Sequence, residues 1–338
     1  MEYSFEDVLT IRNGRNQKAV ENPNGKYPIY GSGGIMGYAD DFICSGDTVI
    51  IGRKGNINNP IYVSEPFWNV DTAFGLESKN DLLNPRYLFY FCKRFDFEKL
   101  NKTVTIPSLT KSDLLKIRLN VPELSIQEEI VSKLVKLEKI VQLRLNELQK
   151  LDELVKARFV ELYNTSFLGE ETTIEAITER VKVGFVGTCE KYYTSNSGIP
   201  MLRTGNITNN GINLSDLKYV TNDFHEKNKK SQILEGDILI ARHGSNGQAN
   251  VYYGPEAQCL NAVVIVPNNE IATSVFLAGL INSPMVKEQI VRTLVGSTQH
   301  VVNTKSIAGL VVRIPNLEVQ KEYEDFVNQI DKSKVAIQ

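Results

Sequence analysis

The chain has 338 residues, with 38 Lys and Arg against 40 Asp and Glu and a net charge of −2, so no global basic field marks it for nucleic acid and any such surface must be local. Four cysteines at 44, 92, 189 and 259 form no Cys-x-x-Cys pair and the three histidines are scattered, which argues against a zinc site and for isolated thiols in a reducing cytoplasm. The N-terminus MEYSFEDVLT lacks an apolar signal core, and no apolar run approaches the ~20 residues of a membrane span, so the expectation is a cytoplasmic protein of about two domains.

In chain order, YPIYGSGGIMGY at 27 to 38 is the first conspicuous stretch, because glycines at 31, 33, 34 and 37 could close backbone N–H groups on a phosphate. A dinucleotide fingerprint needs a helix directly after the glycines, whereas Tyr38 and Asp40-Asp41 are poor helix material, and Asp47 sits in a turn. A shaped loop is the better reading. GDTVIIGRKG at 46 to 55 reads as a turn, an apolar strand and an arginine in a glycine-bearing loop. NPIY at 59 to 62 resembles the Asn-Pro-Pro-Tyr of adenine methyltransferases, but Ile61 replaces the second Pro and no cofactor-binding glycine loop precedes it. Asp71 with ESK at 77 to 79 echoes a nuclease metal cluster, yet this spacing on one strand alternates faces. Trp68 reads as core packing, and YLFYFC at 87 to 92 opens a helix.

Pro122 then precedes SIQE at 125 to 128, which has the pattern of a capping box between Ser125 and Glu128. From there Ile130, Leu134, Leu137, Val141, Leu145, Leu148, Leu151, Val155, Phe159 and Leu162 step by three or four, with no Pro or Gly until Gly169. A helix of this length spans about 60 Å, which suits a spacer better than a core element.

The second half repeats the first at an offset of roughly 190 residues. GDTVIIGRKG returns as GDILIARHGS at 236 to 245, YLFYFC as FLAGLI at 276 to 281, and LTKSDLLKIRLNVPELSIQEEIV at 109 to 131 as NTKSIAGLVVRIPNLEVQKEYEDFV at 303 to 327. Three collinear matches indicate a duplicated module. The expected class is α+β, with globular domains at 1–122 and 167–315, a long coiled-coil-forming helix at 123–166 and a shorter one at 316–338.

These residues carry a resemblance across essentially the whole chain. YPIYGSGGIMGY, GDTVIIGRKG and PFWNVDTAF, followed by TKS at 110 to 112 and 304 to 306 and by the two P-x-L-x-x-Q endings, Pro122 to Gln127 and Pro315 to Gln320, resemble the specificity subunit of type I restriction-modification systems. The resemblance implies two target recognition domains, each reading half of a split double-stranded DNA site. It further implies helices that dock two methyltransferase subunits, and leaves open whether a restriction subunit joins. No cofactor is expected on this chain, S-adenosylmethionine belonging to the methyltransferase partners, and no catalytic or metal site is expected.

DNA reading needs hydrogen-bonding side chains at base edges and cations on phosphates. The loops offer Arg53, Lys54, Asn56, Asn58, Asn59, Lys102 and Thr105 in the first module, and Arg242, His243, Asn246, Gln248, Thr298, Gln299 and His300 in the second. Leu134, Leu137, Val141, Leu148, Val155, Phe159, Phe326 and Ile330 are the candidate partner-binding positions on the helices. A self-contained adenine methyltransferase and a scaffold without a DNA role are the competing classes.

Overall fold

The computed structural model describes residues 1–79, 81–103, 106–195, 197–208, 211–242, 247–295 and 301–337. Two units, Met1–Gln142 and Leu143–Gln338, are distinguished by their internal packing. In the first, beside a short antiparallel pair, Glu2–Ser4 with Arg118–Asn120, the strands of the two main sheets are β1 (Leu9–Asn13), β2 (Tyr27–Gly31), β3 (Gly34–Ala39), β4 (Thr48–Gly52), β5 (Ile61–Val63), β6 (Trp68–Asn69) and β7 (Ala73–Ser78). β4, the TVIIG run, is buried at all five positions, so it needs cover on both faces. Val49 and Ile51 pack with Leu76, Leu83, Leu88 and Phe97, while Ile50 turns the other way, toward Cys44, Val63 and Phe67. β4 accordingly sits inside an antiparallel sheet of order β1-β7-β4-β5. A smaller sheet, β3-β2-β6, lies beyond, with β2 parallel to β6 through Ile29 and Trp68. Helix α1 (Pro85–Arg94) covers the Val49–Ile51 side with Leu88 and Cys92, and its start is capped by Asn84, which accepts from the N–H groups of Arg86 and Tyr87.

The glycine stretch at 31 to 37 is the β2–β3 hairpin, with Gly34 at φ +122° in its turn, and no helix follows it. Trp68 is 7% exposed and its indole N–H donates to the Arg15 carbonyl, in keeping with a core role.

A single helix, α2 (Leu124–Thr165), follows. It begins two residues earlier than the capping-box pattern predicts. The N–H groups of Ile126 and Gln127 bond the Glu123 carbonyl, so Ser125 lies within the first turn and is not the cap residue. The side chain that organises this start is Gln127, fully buried: its Oε1 accepts from the Asn84 N–H at 2.8 Å, and its Nε2 donates to the carbonyls of Leu82 at 2.9 Å and Pro122 at 2.7 Å.

The second unit repeats the plan. Its four-stranded sheet has the order β8 (Thr178–Val183), β14 (Ala262–Pro267), β11 (Ile238–Ala241), β12 (Ala249–Val251), the counterpart of β1-β7-β4-β5. Ile238 and Ile240 pack under helix α3 (Ser274–Asn282), while Leu239 and Ala241 face Leu202, Tyr252 and Cys259. In the second sheet, of five short strands, β9 (Ile199–Leu202) lies between β10 (Lys218–Val220) and β13 (Ala257–Cys259), antiparallel to the first and parallel to the second, as β2 lies between β3 and β6. The last helix, α4 (Leu317–Ile337), starts with Gln320, which accepts from Thr273 N–H at 3.0 Å and donates to Ile271 and Pro315 carbonyls at 3.0 and 2.9 Å. The repeated glutamine therefore makes the same three bonds in both units.

Within the second unit, α4 packs on the later turns of α2: Phe159 meets Tyr323 edge-on at 5.3 Å, Arg158 pairs with Glu322, and Lys334 pairs with Asp152 at 2.8 Å. Gly279 on α3 permits this approach, since a Cβ there would lie 2.9 Å from Tyr323 Oη and 3.0 Å from Phe159 Cδ2.

All four cysteines are buried and free, and burial pushes the thiols of Cys44 and Cys259 up to about 12. Because the thiolate is the reactive form, a spectrophotometric thiol titration of the native protein should be slow, with all four groups reacting promptly once the chain is unfolded. A cysteine that reacts equally fast in both states would contradict this packing.

Candidate nucleic-acid interface

An arginine stands just beyond the central buried strand of each unit, in a loop whose backbone is pinned. Arg53 follows Gly52, which is in register with Ala73; its N–H donates to the Thr72 carbonyl at 2.7 Å, and its carbonyl accepts from Leu109 N–H at 2.9 Å. Arg242 follows Ala241, in register with Ala262, and its carbonyl accepts from Val302 N–H at 3.1 Å. The segments leading into the TKS sequences thus bond the backbone of both arginines. Thr110 then caps the short helix Lys111–Leu115, and Asn303 caps Thr304–Ala308.

The two arginine side chains differ in freedom. Arg53 is exposed, with its guanidinium 5.8 Å from the Phe74 ring centre and Nη1 3.5 Å from the Asp71 carbonyl. Arg242 is half-buried, donating from Nη1 to Asn261 Oδ1 at 2.9 Å and from Nε to the Val302 carbonyl at 3.4 Å. Both keep N–H groups beyond these contacts, as a guanidinium has five donors.

Lys54, Asn56 and Asn59 are exposed beside Arg53, and Asp71 supplies an exposed carboxylate at the same edge. Asn58 is exposed and also holds the turn at Phe97–Leu100: its Oδ1 accepts from Phe97 N–H at 2.7 Å and its Nδ2 donates to Asp96 at 3.1 Å, which leaves one amide N–H and one lone pair for another molecule. Lys102 bonds Asp113 at 2.9 Å while remaining 73% exposed. Gln248 is half-buried and lines a cavity of about 1300 Å³ with Phe159, Asn250, Lys287 and Tyr323. Thr105, His243, Asn246, Thr298, Gln299 and His300 lie outside the described residues.

The helix positions separate into two groups. Leu137 and Val141 are each 57% exposed, and Leu134 and Leu148 are half-buried. In the first unit Leu134, Leu137 and Val141 border a groove with Tyr90 and Arg94, next to Glu138, which accepts from Tyr90 at 2.7 Å and Lys93 at 3.0 Å. Phe159 and Ile330, by contrast, are 4% and 8% exposed. Phe159 is corrected to a packing residue of the second unit, because Phe276 of α3 and Tyr323 of α4 cover it, and Ile330 on α4 is buried as well; Val155 packs against the same core as Phe159, and Phe326 lies half-buried under the Arg158 guanidinium.

The decoy patterns are accounted for by local bonding. Tyr62 of NPIY donates to Asp47 and lies 4.5 Å from the Arg86 guanidinium. Glu77 pairs with Arg12 at 2.8 Å, and Lys79 donates to the Asp7 carbonyl at 2.6 Å. Among the described residues no group of three His, Cys, Asp or Glu is placed to hold a metal, and no helix is long and apolar enough to cross a membrane.

The model of the type I restriction modification DNA specificity domain matches residues 1–155 and 179–338, one segment for each copy of the repeat. The chain is 23% identical over 316 residues to the type I restriction enzyme EcoBI specificity subunit of Escherichia coli, covering 84% of this chain and 66% of that protein. It is 21% identical over 305 residues to the type I restriction enzyme MjaVIII specificity subunit of Methanocaldococcus jannaschii, covering 84% and 69%. It thus spans about two thirds of the length of each relative. The crystal structure of a type I restriction-modification S subunit from M. genitalium shares the fold, with a TM-score of 0.65 at 14% identity over 100% of this chain and 90% of that one. With a matching model over both halves, the repeated α+β architecture and the paired long helices in place, the chain belongs to the type I restriction-modification DNA specificity family.

Proposed function

We propose that this chain is the part of a type I restriction-modification complex that chooses the DNA sequence, each unit reading one half of an asymmetric bipartite site and the chain itself performing no chemistry. The observation that carries the reading is the pair of pinned loops, in which Arg53 and Arg242 occupy equivalent places at the end of the central strand but have different neighbours. Equivalent frames with unlike loops suit two readers of two unlike words. Helix α2 would set the gap between the words, and its exposed Leu137 and Val141 would dock methyltransferase subunits, which carry S-adenosylmethionine. A near-neutral chain would draw phosphate affinity from those partners, since counterion release supplies most nonspecific binding.

The test is binding of DNA in the presence of the methyltransferase, with substitutions placed in one half-site at a time and salt varied. Arg53→Ala should impair one half-site and Arg242→Ala the other, each by about 1 to 3 kcal/mol at one base pair if the contact is bidentate to guanine. If the contact is to phosphate, affinity should fall for all sequences and the salt slope should shrink by about one unit. Unchanged binding in both variants would remove these loops from the interface, and methylation by the isolated chain would replace this reading with that of an enzyme.

A further inference from the structure

The β2–β3 hairpin of the first unit presents two successive apolar side chains to solvent. Its register slips by one residue, Ile29 facing Gly37 while Tyr30 faces Ile35, so Met36 is the extra residue of a β-bulge. Regular alternation would send one of two successive side chains inward. The bulge keeps both outside: Ile35 is 56% exposed and Met36 is 62% exposed. The Met36 side chain folds over Gly31, its Sδ lying 2.6 Å from the point a Cβ there would occupy. The turn itself abuts the arginine loop, with Ser32 Cβ 3.0 Å from the point a Cβ on Gly52 would occupy. The exposed apolar pair thus lies on the hairpin whose turn meets the strand end leading into the exposed cations Arg53 and Lys54.

A protein partner would need roughly 800 Å² of cover on this side, with a desolvated centre. Two apolar side chains flanked by cations fit a base edge between phosphates far better. The apolar group that B-DNA offers in its major groove is the thymine C5-methyl. We infer that Ile35 and Met36 read a thymine methyl in the first half-site, next to the base pair or phosphate held by Arg53. The inference rests on the DNA-reading function proposed above. The second unit joins the corresponding strands, β9 and β10, by the longer segment between Leu202 and Lys218, where Thr208 O accepts from Asn250 and Asn206 bonds the carbonyls of Asn213 and Asp216. The same place in the frame thus carries different chemistry, as two different words require.

The experiment uses the complex assembled with its methyltransferase. The site is first found by sequencing methylated positions in DNA, and each thymine of the half-site governed by Arg53 is then replaced singly by uracil, which removes only the methyl. Affinity should fall about fourfold at one position, the worth of one buried methyl group. Ile35→Ala/Met36→Ala should bind thymine and uracil forms equally at that position and keep full discrimination in the other half-site. No uracil effect anywhere in that half-site, or a thymine preference that survives in the double variant, would overturn the inference. The uracil scan on the unaltered protein decides it even if the variant folds poorly. If Arg53→Ala damages the half-site while uracil is tolerated throughout, only the hairpin inference falls; if no split site is methylated at all, the function proposed above falls and the inference with it.

Discussion

Replacing Gln320 by alanine is expected to destabilise the second unit by about 3 kcal/mol, and Gln127→Ala the first by a similar amount. Each glutamine is fully buried and each satisfies three backbone groups: the N–H at the start of a helix (Thr273 or Asn84) and two carbonyls (Ile271 and Pro315, or Leu82 and Pro122). Truncation leaves all three without partners in a site closed to solvent, and a buried orphan costs roughly 1 to 3 kcal/mol, some of it recovered where water enters. Urea denaturation of each variant gives the value directly from the shift in midpoint at constant slope. Losses below about 1 kcal/mol in both would show that water substitutes for the amide.

The glutamate variants sharpen the test. Gln320→Glu keeps the acceptor for Thr273 N–H but, when ionised, turns a carboxylate toward two carbonyl oxygens that Nε2 now serves. That environment raises the native pKa of the new carboxyl above its unfolded value near 4.3. The native state then binds more protons than the unfolded one, so stability should rise as pH falls through the interval between the two values and be lost again as pH climbs. A denaturation series at several pH values would show this slope for the glutamate variant and not for the alanine one.

Inserting one heptad into α2 is expected to leave both sequence words unchanged and lengthen the gap between them, if α2 acts as the spacer proposed above. Duplicating residues 141 to 147 adds seven residues, about 10 Å of helix at 1.5 Å each, close to three base pairs. The insertion point avoids the turns that pack against α4, where Asp152, Arg158 and Phe159 find their partners. A whole heptad rotates the two ends by only about 20° relative to each other, which keeps the apolar stripe nearly continuous. Sequencing of methylated sites from cells carrying either form reads the outcome. The parental spacing should disappear and a longer one replace it, whereas an altered word at the parental spacing would contradict the spacer role.

Much of this molecule was legible in sequence because it is written in local periodicity and in repetition. TVIIG and ILIA, each between a Gly-Asp turn and an arginine, read as strands, and both lie in the interior of a sheet with alternating side chains assigned to opposite cores. The heptad-like run read as one long helix, and Leu124–Thr165 is one. The repeats at an offset near 190 residues correspond to two units whose four-stranded sheets have the same order.

What periodicity cannot say is which neighbour covers a face. Phe159 and Leu137 occupy the same predicted seam, yet the first is 4% and the second 57% exposed, because only the first meets α3 and α4. Nor does the sequence show that Asn58 bonds Asp96 and Phe97, some 38 residues away, with one N–H and one lone pair of its amide. The P-x-L-x-x-Q spacing flagged Gln127 and Gln320, but their task needs carbonyls from segments more than 40 residues distant. The bulge at Met36 was likewise beyond reach, since a slip of register belongs to a pair of strands and not to either one. Local sequence therefore determined the elements and their repetition, and long-range packing decided which side chains remained free to meet another molecule.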